Sequence, residues 1–311
     1  MRPELFLMQQ DVIPLIESLI TFAIMFGNAS DRLTVLQNAN IDKAFLSSLN
    51  LSDEPRKFAQ QLVSRFRTYR VSNNKLDYHP MIKLLTHLCE IAPNYNELIN
   101  DVPLFSRLAQ QGQENLKALV ARNSVASIIM DSPKGSHIGT GVLIRKSWLL
   151  TCNHIFSKSQ AKTAWARFNY IEGSHNLDSD VFELDLATLI RSSQLDYAVA
   201  RVKNVPQQQN VTASDALLDS GQKIRLIHHP QGQHAVISEL GEIVQVGADY
   251  IDHNISTEDG SSGAPIFNCD WQLVAIHRGN LGIGVGRSQE PGTTSGFPVC
   301  AFWQNIQTQL F

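Results

Sequence analysis

The chain has 311 residues, of which 43% are hydrophobic and 18% charged, a balance that fits an ordinary globular protein with room for two domains. Its net charge of −3 is too small to point to a nucleic acid or an anionic membrane surface as partner. The first segment is apolar from Val12 to Phe26 but is broken by Glu17. It suits neither a membrane span nor a signal peptide, and it predicts an amphipathic helix.

Further helices succeed it in chain order up to about residue 120. "SDRLTVLQNA" and "NIDKAFLSSL" predict short ones joined by polar turns. "SDEPRKFAQQLVSRFRTYR" predicts a longer one, with Ser52 or Asp53 as cap and Pro55 in the first turn. Phe58, Leu62, Phe66 and Tyr69 recur there at helical spacing and share one face. "HPMIKLLTHLCEI" repeats the device, with Pro80 near its start and Ile82, Leu85 and Cys89 on a stripe. "NELINDVPLFSRLAQQ" predicts another short helix, and "QQGQENLKALVARN" a polar-faced helix connecting the helical half to the second half. Short loops between short helices imply a bundle.

From about Asn123 the period changes. "SVASIIM", "GTGVLIRKSWLLT", "TAWARFNYI", "DYAVARV", "KIRLIHH", "HAVISELGEIVQVG", "APIFN" and "LVAIHRG" are short runs rich in Val and Ile, separated by turn residues. They predict an all-β barrel or sandwich. The cysteines, Cys89, Cys152, Cys269 and Cys300, show no paired spacing. They predict free, buried thiols in a reducing, cytoplasmic setting, with no metal site and no cofactor.

Serine catalysis needs a base beside the hydroxyl, a group that orients the base, and backbone N–H donors for the oxyanion. The β half offers a candidate for each. His154 follows an apolar strand in "SWLLTCNHIF", Asp196 leads into one in "QLDYAVARV", and Ser261 and Ser262 lie in "EDGSSGAPIF". Each is weak alone, but their order and strand context make the set specific. Asp185 in "FELDLATL" is the competing acid, placed in mid-strand.

On these motifs, residues 124 to 305 resemble a trypsin-like serine peptidase of the chymotrypsin-fold superfamily. "GTGVLI" with "LLTCNHIF", "LDYAVARV", "DGSSGAPIFN", "WQLVAIHRG" and "IHHPQGQHAVIS" carry the likeness. It implies a double β-barrel with His154 as general base, Asp196 as its orienting acid and Ser262 as nucleophile. The oxyanion donors implied are the N–H groups of Gly260 and Ser262. Ser261 departs from digestive-type relatives, which carry there an aspartate that pairs with a freed N-terminus. A neutral serine cannot form that ion pair, so activation by this route is not expected. His277, with Arg278 beside it, resembles the histidine of glutamate-specific bacterial relatives and implies contact with an acidic side chain; alternatively the imidazole points into the barrel or to solvent. His228 and His229, adjacent on a strand, point to opposite faces and read as the lead into a His-Pro turn rather than as metal ligands.

"FGNASDRLTVLQNANI", "EPRKFAQQLVSRF" and "HPMIKLLTHLCEI" are similar to the helical, death-domain-like effector-associated domains of bacterial conflict proteins. That likeness implies a recruitment module that couples the peptidase to a sensor or adaptor protein. The basic residues Arg56, Lys57, Arg65, Arg67, Arg70 and Lys75 have no acidic neighbour between positions 55 and 76, giving either a solvated face or a surface for an acidic partner. The expectation is a helical recruitment domain over 1–120 and a peptidase domain over 121–311. Together they make an intracellular serine endopeptidase acting on protein substrates, with a place in bacterial defence. A catalytically silent peptidase-fold binding module is the alternative. An α/β-hydrolase is disfavoured, because its serine comes first in the chain and sits in Gly-x-Ser-x-Gly.

Overall fold

The computed structural model describes residues 6–310, apart from 73, 74, 76, 132–135, 160, 161, 172–179, 205–209 and 280–292, with the backbone alone for 137, 158 and 159. Two units separate by contacts, Arg2–Ala118 and Leu119–Phe311.

The first unit is helical. Its elements are α1 (Gln9–Met25), α2 (Ala29–Asn38), α3 (Lys43–Leu46), α4 (Pro55–Thr68), α5 (Pro80–Ile91), α6 (Asn96–Ile99) and α7 (Val102–Asn123), the last of which runs across the division into the second unit. Caps set several starts. Asn28 Oδ1 accepts from Asp31 N at 2.9 Å, Asp42 Oδ1 accepts from Phe45 N at 2.7 Å, and His79 Nδ1 accepts from Met81 N at 3.3 Å. Neither Ser52 nor Asp53 caps α4; Glu54 is the cap residue and makes no side-chain cap bond. Pro55 at the first position brings no N–H to satisfy, and the Asp53 carboxylate is already held by Asn50 Nδ2 at 2.8 Å. The stretch 96–111, expected as one short helix, is split: its start forms α6, and its remainder runs on without a break into the expected polar connection as the 22-residue α7. Phe58, Leu62 and Phe66 are buried as the spacing predicts, while Tyr69 lies just past α4 and meets Phe45 edge-on at 6.0 Å. Among the described helices, no single one is long and apolar enough to cross a membrane.

The second unit is a double β-barrel, with β1 (Val125–Met130), β2 (His137–Arg145), β3 (Trp148–Cys152), β4 (Ala164–Phe168), β5 (Val181–Ser192) and β6 (Tyr197–Val202) in the first barrel. A short helix, α8 (Asn153–Ser159), leaves β3 directly. The strands close in the order β1-β2-β3-β6-β5-β4. The second barrel is built from β7 (Lys223–His228), β8 (Val236–Ile237), β9 (Gly241–Val246), β10 (Ile251–His253), β11 (Pro265–Asn268), β12 (Leu273–Gly279) and β13 (Thr294–Pro298). Their order is β11-β12-β13-β10-β9-β7-β8, and a β11–β7 pairing closes the ring. A terminal helix, α9 (Trp303–Leu310), comes after β13 and buries Ile306; an all-β reading of this half omits it.

Val142, Leu149, Leu150 and Val199 from the first barrel share one buried cluster with Ile227, Phe267 and Ile276 from the second. Ile224, Leu226, Ile243 and Ile266 fill the second barrel. The two barrels are thereby joined by packing; of the candidate residues, His154 lies in α8, Asp196 in the β5–β6 turn, Ser262 in the loop before β11, and His277 and Arg278 on β12. All four cysteines are free, as expected, but only Cys152 is buried; Cys89 and Cys300 are half-buried and Cys269 is exposed.

Candidate active site

His154 is the second residue of α8, so the chain turns sharply from the buried end of β3 and leaves the imidazole at the barrel rim. Asp196 ends the turn between β5 and β6 with a φ of +44°, a left-handed conformation that aspartate tolerates better than most residues. The two segments meet through three hydrogen bonds. Asn153 N donates to Asp196 O at 3.0 Å, His154 N donates to Oδ1 at 2.8 Å, and His154 Nδ1 lies 2.7 Å from Oδ2. With a carboxylate at Nδ1, that nitrogen holds the proton and Nε2 keeps its lone pair. The carboxylate is nearly sealed from water, at 5% side-chain exposure, while the imidazole is 21% exposed. Asp185 takes no part: it lies in β5, where its Oδ1 accepts from Ala187 N at 3.2 Å.

Ser262 reaches this pair through Arg278. Arg278 Nε stands 3.1 Å from Asp196 Oδ2, and the Arg278 carbonyl accepts the Ser262 hydroxyl at 3.3 Å. One residue at the end of β12 thus touches both the acid and the serine. Among the described residues no hydrogen bond joins Ser262 to His154.

The loop before β11 owes its shape to two glycines, Gly260 at φ +88° and Gly263 at φ +84°. A Cβ on Gly263 would fall 2.1 Å from Thr151 Oγ1 and 2.3 Å from Thr140 O, so no other residue fits. Thr140 on β2 grips this loop twice: its N–H donates to Ser262 O at 2.8 Å and its hydroxyl donates to Gly260 O at 3.0 Å. The carbonyls of Gly260 and Ser262 are thus both tied to the first barrel, and the N–H groups of the same two peptides, those of Ser261 and Gly263, donate to Glu258 O at 3.1 Å and His277 O at 2.8 Å, so the turn is held on both sides.

His277 is buried on β12 beside His253 of β10, with His253 Nε2 3.1 Å from His277 Nδ1. His253 Nδ1 accepts from Ile255 N at 3.3 Å. His253 Nε2 therefore carries the proton and donates it to His277 Nδ1, so His277 presents an N–H at Nε2. Burial, followed by the neighbouring His253, His228 and His154, pushes His277 well below the ordinary histidine range. Burial also lowers His253 to about 4. The imidazole is thus a neutral donor rather than a cation. Sequence reasoning did not single out His253; its three-residue strand, "IDH", shows no periodicity. His228 and His229 do point apart, His228 Nδ1 to Ser261 Oγ at 2.7 Å and His229 Nδ1 to Gln233 O at 2.9 Å.

Cys152, His154 and Asp196 bring potential metal-binding atoms within 4.8 Å of one another. The donors are already committed. Burial holds the Cys152 thiol protonated, far above its ordinary pKa, and its Sγ lies 3.3 Å from His277 O.

Residues 139–276 match the family model of the trypsin-like peptidase domain, and residues 9–123 that of effector-associated domain 8. Glutamyl endopeptidase of Staphylococcus aureus (strain MRSA252) is 26% identical over 171 residues, covering 50% of this chain and 47% of that protein. Uncharacterized protein y4fB of Sinorhizobium fredii is 28% identical over 197 residues, covering 53% of this chain and 29% of the relative. The chain therefore spans about half, or less, of the length of these curated relatives. Among solved structures, a serine endoprotease from Yersinia pestis superposes with a TM-score of 0.49 at 18% identity, over 63% of this chain and 66% of that one. A protease from M. tuberculosis in its active form gives 0.49 at 15%, over 61% and 82%.

Proposed function

Because the chain carries an effector-associated domain ahead of a trypsin-like peptidase domain, we propose that it is a serine endopeptidase whose helical unit recruits or controls it. The observation that carries this reading is the bonding of His154 to Asp196 within one residue, Arg278, of the Ser262 hydroxyl. In the proposed reaction His154 Nε2 takes the Ser262 proton as Oγ attacks the scissile carbonyl carbon. The oxyanion forms against the N–H groups of Gly260 and Ser262. The imidazolium, held by Asp196, then gives its proton to the leaving amine, and an acyl-enzyme remains. Water, deprotonated by the same imidazole, releases the acid and restores the serine.

The proposed preference is for a glutamate or aspartate side chain before the cut. The neutral donor at His277 Nε2 and the name of the S. aureus relative support it. Arg278, expected beside it, is engaged elsewhere, with Nε 3.1 Å from Asp196 Oδ2 and its guanidinium over the Phe297 ring at 5.4 Å. Free thiols favour a reducing compartment, and the effector-associated match favours an intracellular role in bacterial defence, through a sensor or adaptor protein. Arg56 is paired with Glu17, while Lys57, Arg65 and Arg67 on α4, with Arg70 and Lys75 beyond it, form the proposed surface for an acidic partner; Arg67 bonds the neutral Gln9, and Lys75 lies over the Tyr78 ring at 3.8 Å.

A second reading, a silent binding module, draws on the serine hydroxyl's bond to Arg278 O instead of His154. Hydrolysis of a mixed peptide library by the full chain separates the two. Cleavage after acidic residues, abolished in Ser262→Ala and in His154→Ala, is expected. No cleavage by the wild type, with or without a partner, would leave the silent module; cleavage without acidic preference would remove the His277 assignment alone.

A further inference from the structure

We propose that His228 and Ser261 are positioning residues, a buried pair that fixes the turn carrying the oxyanion donors; this rests on the peptidase reading above. Ser261 lies between Gly260 and Ser262, the two residues whose N–H groups would meet the oxyanion. Its side chain is 1% exposed and its Oγ lies 2.7 Å from Nδ1 of His228, itself 5% exposed. No local signal links the two, which are 33 residues apart. They meet because β7 pairs with β11, Leu226 opposite Ile266, and that register runs the end of β7 beneath the loop before β11.

The consequence is mechanical. The plane of the peptide between Ser261 and Ser262 turns about the backbone of Ser261; Ala264 N donates to its carbonyl at 3.0 Å, and the anchored Ser261 side chain holds the residue about which the plane turns, so the two together set where the Ser262 N–H points. The neighbouring peptides are fixed from the other barrel. Thr140 Oγ1 accepts from His229 N at 3.2 Å and donates to Gly260 O at 3.0 Å, while Thr140 N donates to Ser262 O. Ser261 N also donates to Glu258 O at 3.1 Å. Gly260, Ser261 and Ser262 are each held by a separate contact, and the His228-His229 step supports the network from beneath. The His228–Ser261 contact joins two side chains and involves no free amine.

A pair that merely fills space and a pair that sets oxyanion geometry predict different kinetics. In the full chain, Ser261→Ala and His228→Ala should each lower kcat about ten- to a hundred-fold, part of what loss of an oxyanion donor costs, with KM changed less than about twofold. Affinity for a peptidyl boronate, which mimics the tetrahedral intermediate, should fall in step with kcat/KM, while affinity for the cleaved product stays constant. The double variant should be no slower than the worse single, because one interaction is lost in all three. His228→Asn, which keeps a polar group near the Nδ1 position, should recover part of the rate. Should His228→Ala fail to fold, Ser261→Ala removes one oxygen only and decides the matter. An active wild type whose Ser261→Ala variant keeps its kcat, or whose two losses multiply, overturns the inference alone. A wild type that neither hydrolyses peptides nor takes the boronate overturns the peptidase reading and this inference with it.

Discussion

Asp196 shows how a single residue sets the chemistry of its neighbour. Both of its carboxylate oxygens accept from His154, one from the backbone and one from the ring. Exchange for asparagine offers an amide donor to Nδ1 and drives the proton onto Nε2, where it blocks deprotonation of the serine. Asp196→Asn should therefore keep the fold and lower kcat about 10⁴-fold, read from steady-state rates beside an unchanged melting curve. Gly263→Ala should fail differently. Its Cβ would collide with Thr151 Oγ1 and with the Thr140 carbonyl on the strands that hold the loop, so activity and thermal stability should fall together; a stable variant with full activity would refute the clash. The pairing of His154 with Asp196 was legible in the sequence, as was the place of Ser262 in a glycine-shaped turn, because each stands near a strand end beside turn residues. The contacts of His253 and His228 were not, since their partners lie 24 and 33 residues away and nothing local marks them.

At the scale of elements, Arg32 does more than its place on α2 announces. It is 1% exposed, and its guanidinium donates to the carbonyls of Ala23 at 2.9 Å, Phe26 at 3.0 Å, Leu51 at 2.9 Å and Asp53 at 2.5 Å. Those acceptors lie at the end of α1 and in the turn before α4, so one side chain ties three helices together, with its charge over the Phe58 ring at 4.6 Å. Arg32→Met leaves the acceptors buried and unpaired and should cost the helical unit about 3 kcal/mol or more, measured by urea unfolding of the full chain. A loss below about 1 kcal/mol would show that water replaces the guanidinium. Sequence periodicity found the helices because their buried stripes repeat every three or four residues. It missed the true length of α7, and it passed over β10 and β13, one only three residues long and the other, "TSGFP", lacking any alternation of apolar residues.

For the whole molecule, the buried histidines tie stability to pH. Burial lowers His228 and His253 to about 4 and His79 to about 3, from an ordinary 6.5. The unfolded chain then binds protons first as the pH falls. Stability is therefore undiminished above about pH 6.5 and declines from there toward pH 4, by up to about 1.4 kcal/mol per pH unit for each histidine. Unfolding midpoints that stay level from pH 7.5 to 4.5 would contradict the neutral state of these rings. The division into a helical and a β unit was visible as a change of hydrophobic period near Asn123, because helix and strand write different repeats into the chain. Whether Ser262 is a nucleophile activated by His154 is tested most directly by reacting the full chain with a fluorophosphonate and mapping the adduct by mass. We expect one adduct on Ser262, absent in Ser262→Ala and strongly slowed in His154→Ala. An adduct on another residue, or none on the folded wild type, would contradict it.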